Sequence, residues 1–146
     1  MKKSAPTTIK LSVPSQFGYE KIAMDTAVKL AKSAGLSKER QEDLSTAVSE
    51  ACINAMQHGN HLSAKTDVNV VFRVKKNVLE VEIRDKGRGL DSHPERPILE
   101  NKLKKDANAG GWGVFLMEKL VERVEYSITK SRGHLTRLVM ELNKSQ

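Results

Sequence analysis

Glu50, Asn54 and His58 stand four residues apart in SEACINAMQHGN, a stretch otherwise built mostly from small and apolar residues. On a helix, positions four apart differ by only about 40°, so these side chains share a stripe. Leu44, Val48, Ala51 and Ala55 form the neighbouring stripe toward the core. A carboxylate and an amide flanking a packed face are either a solvated boundary or a pair facing a ligand. A further candidate is Asp85, in phase with Leu79, Val81 and Ile83 and so pointing inward with them. A buried carboxylate is costly unless donors meet it, and Arg84 faces the other way. Asp85 either caps the turn in DKGRG or accepts from the amino group of a ligand. Gly87 and Gly89 in that turn let backbone come close to a ligand. Finally, Gly110, Gly111 and Gly113 in NAGGWGVFLMEKL lead directly into a helix. Free N–H groups there suit phosphate, although a flexible hinge has the same composition, and the Walker spacing GxxxxGK[ST] is absent.

Positioning such groups requires a frame, and the apolar spacing supplies one. Residues 1–7 read as a polar tail, followed by a short strand over Ile9, Leu11 and Val13 that ends at Pro14. Tyr19, Ile22, Ala23, Thr26, Ala27 and Leu30 follow helical spacing, and Gly35 stands where a left-handed cap is needed. Ser37 is a candidate N-cap for a second helix, with Glu39 in its first turn, running to about His58 and ended by Gly59. Val68, Val70, Phe72 and Val74, then Leu79, Val81 and Ile83, alternate around a KKN turn as a half-buried hairpin. A long polar segment follows, of the kind that is functional or disordered. Val114, Met117, Leu120 and Val121 predict a third helix. Val124, Tyr126 and Ile128, then Leu138, Met140 and Leu142, predict a closing hairpin around SRG. The order β-α-α-β-β-loop-α-β-β predicts an α+β fold over residues 8–143: a two-layer α/β sandwich with a mainly antiparallel mixed sheet and about three helices on one face.

Composition narrows the function classes. At 146 residues with ordinary charged and apolar fractions, the chain reads as one soluble domain. No run approaches the roughly 18–20 apolar residues of a membrane span, and MKKSAPTT has no apolar stretch behind it to make a secretory signal. The single cysteine, Cys52, excludes an internal disulfide and a cysteine-built metal site, so the expected location is the cytoplasm. The net charge of +7 is spread along the chain and interleaved with acidic residues, and aromatics are scarce. That argues against a stacking platform for nucleic acid and fits an acidic protein partner or a polyphosphate equally well.

In order, the motifs are E-x-x-x-N ending a helix, D-x-G-x-G ending a strand, a polar lid over about 89–110, and G-x-G opening a helix. The set resembles the Bergerat-type ATP-binding fold shared by gyrase, the heat-shock-90 chaperones, histidine kinases and the mismatch-repair MutL proteins. It is most similar to the small anti-sigma-factor serine/threonine kinases, and the resemblance runs from Ile9 to Leu142. SEACINAMQHGN matches the N-box, RDKGRGLD the first glycine box and GGWGVFLM the second. The resemblance implies ATP and Mg²⁺ as cofactors, with Asn54 on the metal, Glu50 as general base and Asp85 accepting the adenine amino group. Gly87 and Gly89 would pass the adenine and ribose, and Gly110, Gly111 and Gly113 would hold the phosphates under the lid. It assigns His58 no nucleotide contact, leaving it a role in packing or hydrogen bonding at the helix end. Two positions depart from the pattern. The arginine often found just before the second glycine box is replaced by Asn108-Ala109-Gly110, leaving Lys104 and Lys105 as the nearest cations. A Gly-Thr pair in the last hairpin is replaced by Gly133-His134, with Thr136 at the same strand parity as a substitute adenine contact. The implied partners are a sigma factor and an anti-sigma-antagonist (STAS-type) protein. A homodimer is typical of the family, and neither nucleic acid nor membrane is expected.

Overall fold

The computed structural model describes residues 6–63, 65–86, 110–129 and 133–142. The chain runs β1 (Thr7–Pro14), α1 (Glu20–Ser33), α2 (Lys38–Asn54), a π-helical turn (Ala55–Gly59), β2 (Asp67–Val74) and β3 (Val78–Arg84). It continues through α3 (Gly110–Leu120), β4 (Arg123–Thr129) and β5 (Gly133–Glu141). The strands form one sheet in the order β1-β2-β3-β5-β4. All of its ladders are antiparallel, so the mixed pairing expected from sequence does not occur among the described residues. β1 begins at Thr7, inside the expected tail, and Gly110, the expected end of the lid, is already helical.

Local chemistry sets the helix ends. Gly35 takes φ +90°, and Leu36 N–H reaches back to Ala31 O, closing α1 with the left-handed cap that a side chain would resist. Ser37 Oγ then accepts from Arg40 N–H at 3.2 Å and starts α2. α1 packs on α2 through Ala23, Ala27 and Ala31, all fully buried. That stripe of small residues turns Ile22 outward, because Ile22 lies about 100° round the helix from Ala23. α2 is the central helix, touching α1, α3, β3 and β5. Its Leu44, Ala47, Val48, Ala51 and Cys52 join Val68, Val70, Phe72, Leu79, Val81, Ile83, Leu138 and Met140 from the sheet in one core. Burial in that core pushes the Cys52 thiol up to about 12, with Glu20 adding to the effect, so it is inert as a nucleophile or ligand. Arg40 clamps the far side of the fold, donating to both carboxylate oxygens of Glu122 at 2.8 Å and to Glu141 O. Tyr126 and Ile128, alternating positions of the closing hairpin, are exposed on β4, an edge strand.

The face of the sheet away from the helices carries charge in register. Glu82 is nearly buried between Arg73, at 2.8 Å, and Arg137, at 2.7 Å, and Arg137 also holds Glu125 at 2.9 Å. Burial alone raises the Glu82 carboxyl, but hydrogen bonds from Arg137 and Arg73 outweigh it and hold the group below its ordinary range. A depressed carboxyl stabilises the fold at neutral pH and loses that contribution as pH falls through the folded value. Glu82→Gln should therefore lower unfolding free energy by about 1–2 kcal/mol at pH 7, discounted for the partly exposed arginines. In urea titrations the difference from the parent should close below about pH 4.

Candidate active site

Glu50 and Asn54 lie on successive turns at the C-terminal end of α2, both half-buried beside the core residues Ala51 and Ala55. The first turn of α3 sits against them. A Cβ added to Gly113 would stand 2.6 Å from Glu50 Oε1 and 3.6 Å from Asn54 Nδ2, so a side chain there would displace the Glu50 carboxylate from its place beside α3. The first N–H groups of a helix have no acceptor within it. α3 starts at Gly110, so that turn includes Gly110, Gly111 and Gly113. The structure thus joins E-x-x-x-N to the second glycine cluster.

α2 does not continue regularly to His58. Asn60 N–H donates to Ala55 O at 2.9 Å, an i→i+5 bond that fits an extra residue into the turn. Beyond it the helical phase is lost, so the three-residue stripe expected from sequence stops at Asn54. His58 is exposed instead. The same winding buries Gly59 against Asp85, where an added Cβ would overlap the carboxylate. Gly59 therefore does more than end a helix: its missing side chain is the space the Asp85 carboxylate occupies.

Asp85 points inward, as its strand parity predicts, and is 5% exposed. Its donors come from β5. His134 N–H reaches Asp85 Oδ1 at 3.0 Å, His134 Nδ1 lies 3.2 Å from both carboxylate oxygens, and Asp85 N–H donates to His134 O at 3.1 Å. Gly133, at φ +81°, lets β5 start hard against the Asp85 and Lys86 backbone. Burial raises the Asp85 carboxyl above its ordinary range, and the His134 contacts pull it only partly back. Thr136, half-buried, pairs with Ile83 and Tyr126, two residues further along β5 than His134. His134 is thus the residue nearest Asp85. Gly87, Gly89, Lys104 and Lys105 lie outside the described residues.

Sequence reasoning noted His134 only as a departure in the last hairpin and Gly59 only as a helix end, and passed over Asn60. The first was legible in principle, since counting back along the β3–β5 ladder from Ile83↔Thr136 sets His134 opposite Asp85. The other two depend on the π turn, for which the sequence carries no clear signal. Among the described residues no group of three or more His, Cys, Asp or Glu side chains could hold a metal. The Asn54 amide oxygen is the kind of donor that can bind a hard cation.

The stretch of chain that carries these groups matches a known family. The family model described as the histidine kinase-like ATPase domain matches residues 13–141. The chain belongs to the histidine kinase-like ATPase family. Curated relatives include proteins named serine-protein kinase RsbW from several bacteria. That of Oceanobacillus iheyensis is 33% identical over 80% of this chain and 77% of its own length. The Bacillus licheniformis protein is 33% identical over 86% and 81%, and that of Bacillus subtilis 33% identical over 80% and 75%. As a member of this ATPase family the chain is expected to use ATP. No described helix is long and apolar enough to cross a membrane.

A carboxyl whose folded value is raised holds its proton to higher pH than in the unfolded chain, so ionised Asp85 opposes folding at neutral pH. Asn at this position can still accept from His134 N–H. Asp85→Asn should therefore be no less stable than the parent at pH 7. Any advantage should shrink as pH falls through the raised folded value and be gone below about 4, as read by thermal unfolding across pH.

Proposed function

We propose that this protein is an ATP-dependent protein serine/threonine kinase and anti-sigma regulatory factor. In this reading it binds a sigma factor and phosphorylates an anti-sigma-antagonist protein of the STAS type, acting as a homodimer in the cytoplasm. The observation that carries the reading is the contact between Glu50 and Gly113. It sets a potential base beside the helix start suited to the phosphates, while Asp85 occupies the end of β3. Asp85 accepts the adenine amino group, and Gly87, Gly89 and Thr136 line the path of the base and ribose. Gly110, Gly111 and Gly113 hold the phosphates through backbone N–H groups, with Lys104 and Lys105 of the lid supplying positive charge.

Glu50 takes the proton of the substrate serine or threonine hydroxyl as its oxygen attacks the terminal phosphorus and ADP leaves. Asn54, through its amide oxygen, is the protein ligand for Mg²⁺, which when bound neutralises charge on the phosphates. The relatives named serine-protein kinase support the transfer. Asn101–Gly110 contains no arginine, and a lysine lacks the planar fork that arginine presents to a phosphate. That absence favours a second reading, a nucleotide-gated protein-binding regulator in which ATP selects the partner with little transfer.

Incubation with labelled ATP, Mg²⁺ and the STAS-type proteins encoded in the same genome separates the two. The kinase reading expects label on one of them, with transfer by Glu50→Gln reduced about 10²–10⁴-fold while ATP binding persists. Transfer by Glu50→Gln at the parent rate would remove Glu50 as the base. Tight ATP binding with no transfer to any candidate would select the gated regulator. Asp85→Asn should weaken ADP at least about 10-fold; unchanged affinity would end the adenine assignment.

A further inference from the structure

The residue that follows the buried Gly59 is itself buried and fully engaged. Asn60 is 5% exposed, and its amide reaches three separate segments of chain. Nδ2 donates to Ser15 Oγ at 2.9 Å, just beyond β1, and to Asp67 O at 3.1 Å, at the start of β2. Oδ1 accepts from Lys86 N–H at 2.7 Å, the peptide immediately after Asp85. Both amide hydrogens and one lone pair of the oxygen are used. The Asn60 main chain closes the π turn through Ala55 O and accepts from Ser63 N–H at 3.0 Å.

The chain then leaves through His61 and Leu62, at φ +53° and +54°, a left-handed pair in residues that are not glycine. Such a conformation persists only where the surroundings over-determine it. Here they include the Asn60 bonds and the Leu62 N–H bond to Met56 O at 2.7 Å. Ser15, 1% exposed, extends the anchor, accepting from Thr66 Oγ1 at 3.0 Å and donating its N–H to Thr66 O.

From these contacts we infer that Asn60 is a positioning residue: it sets the spacing between the helix that carries Glu50 and Asn54 and the strand end that carries Asp85. Gly59 and Asn60 together form the joint, one making room for the Asp85 carboxylate and the other gripping the peptide after it. The inference rests on the reading of Asp85 as the adenine acceptor. A lost grip at Lys86 lets the end of β3 rotate, so the base end of the site shifts while the α2–α3 end, built on the Gly113 contact, keeps its geometry. Selectivity for the base, beyond mere stability, should therefore depend on Asn60.

The test is ADP and GDP binding by calorimetry for the parent, Asn60→Ala, Asn60→Asp and Ser15→Ala, all well below their melting temperatures. Asn60→Ala should lose at least about 10-fold in ADP affinity and most of the ADP-over-GDP preference. Ser15→Ala breaks the anchor on the other side of the amide and should destabilise the fold while leaving that preference within about twofold. Asn60→Asp keeps an acceptor for Lys86 N–H and should keep the preference. A preference unchanged in Asn60→Ala, or lost equally in Ser15→Ala, would overturn the inference. Should Asn60→Ala not fold, hydrogen exchange in the parent decides: Lys86 N–H should be protected about 100-fold or more, and exchange at the free-peptide rate would reject the grip. A parent that binds neither nucleotide would overturn the adenine reading itself, an outcome distinct from binding that ignores Asn60.

Discussion

A carboxylate buried at the end of a strand has to be met by donors, and much of the architecture around this site follows from that requirement at Asp85. β5 must begin tightly enough to aim the His134 N–H and ring at the carboxylate, which requires the left-handed Gly133. The π turn after α2 must end with a residue lacking a side chain, because the carboxylate fills the space over Gly59. The turn that delivers Gly59 is wound wide, and the amide of Asn60 fastens it to the peptide after Asp85. Burial still holds the carboxyl above its ordinary range, because the His134 contacts offset the desolvation only in part.

The rest of the fold holds two ends of one site in fixed relation. α2 is rigid through its packing on α1, α3 and the sheet, so Glu50 and Asn54 move with the core. Asp85 moves with the β3–β5 ladder. Between the two lies a single π turn, held by burial of Ala55 and Met56 in the core and, just after it, by the Asn60 amide bonds to Asp67 O and Lys86 N–H. Widened turns of this kind recur at functional sites, where they place one residue that a regular helix would turn elsewhere. On the outer face the Arg73–Glu82–Arg137–Glu125 row binds neighbouring strands through charge in register, leaving the inner face free for apolar packing.

The order of elements, both hairpins and the inward direction of Asp85 were all legible in the residues. Each rests on short-range periodicity, which side-chain alternation and helical pitch impose whatever surrounds them. Gly35 and Ser37 were equally legible, since a left-handed cap and an N-cap are local chemistry. The exposure of Ile22, Tyr126 and Ile128 was not. Apolar spacing marks a residue as part of a helix or strand, and only the small-residue stripe of α1 and the edge position of β4 turn these outward.

The sequence by itself determined which groups the candidate site brings forward: Glu50 and Asn54 on one stripe, Asp85 at a strand end and a glycine cluster opening a helix. These depend on spacing along the chain, which local geometry translates directly. Tertiary structure alone decided what satisfies Asp85, where the helical stripe stops and which residue joins the two ends. His134, Gly59 and Asn60 act across 49, 26 and 26 residues of chain. Contacts over such separations exist only once the sheet register and the π turn are formed, and no local pattern of residue types announces them.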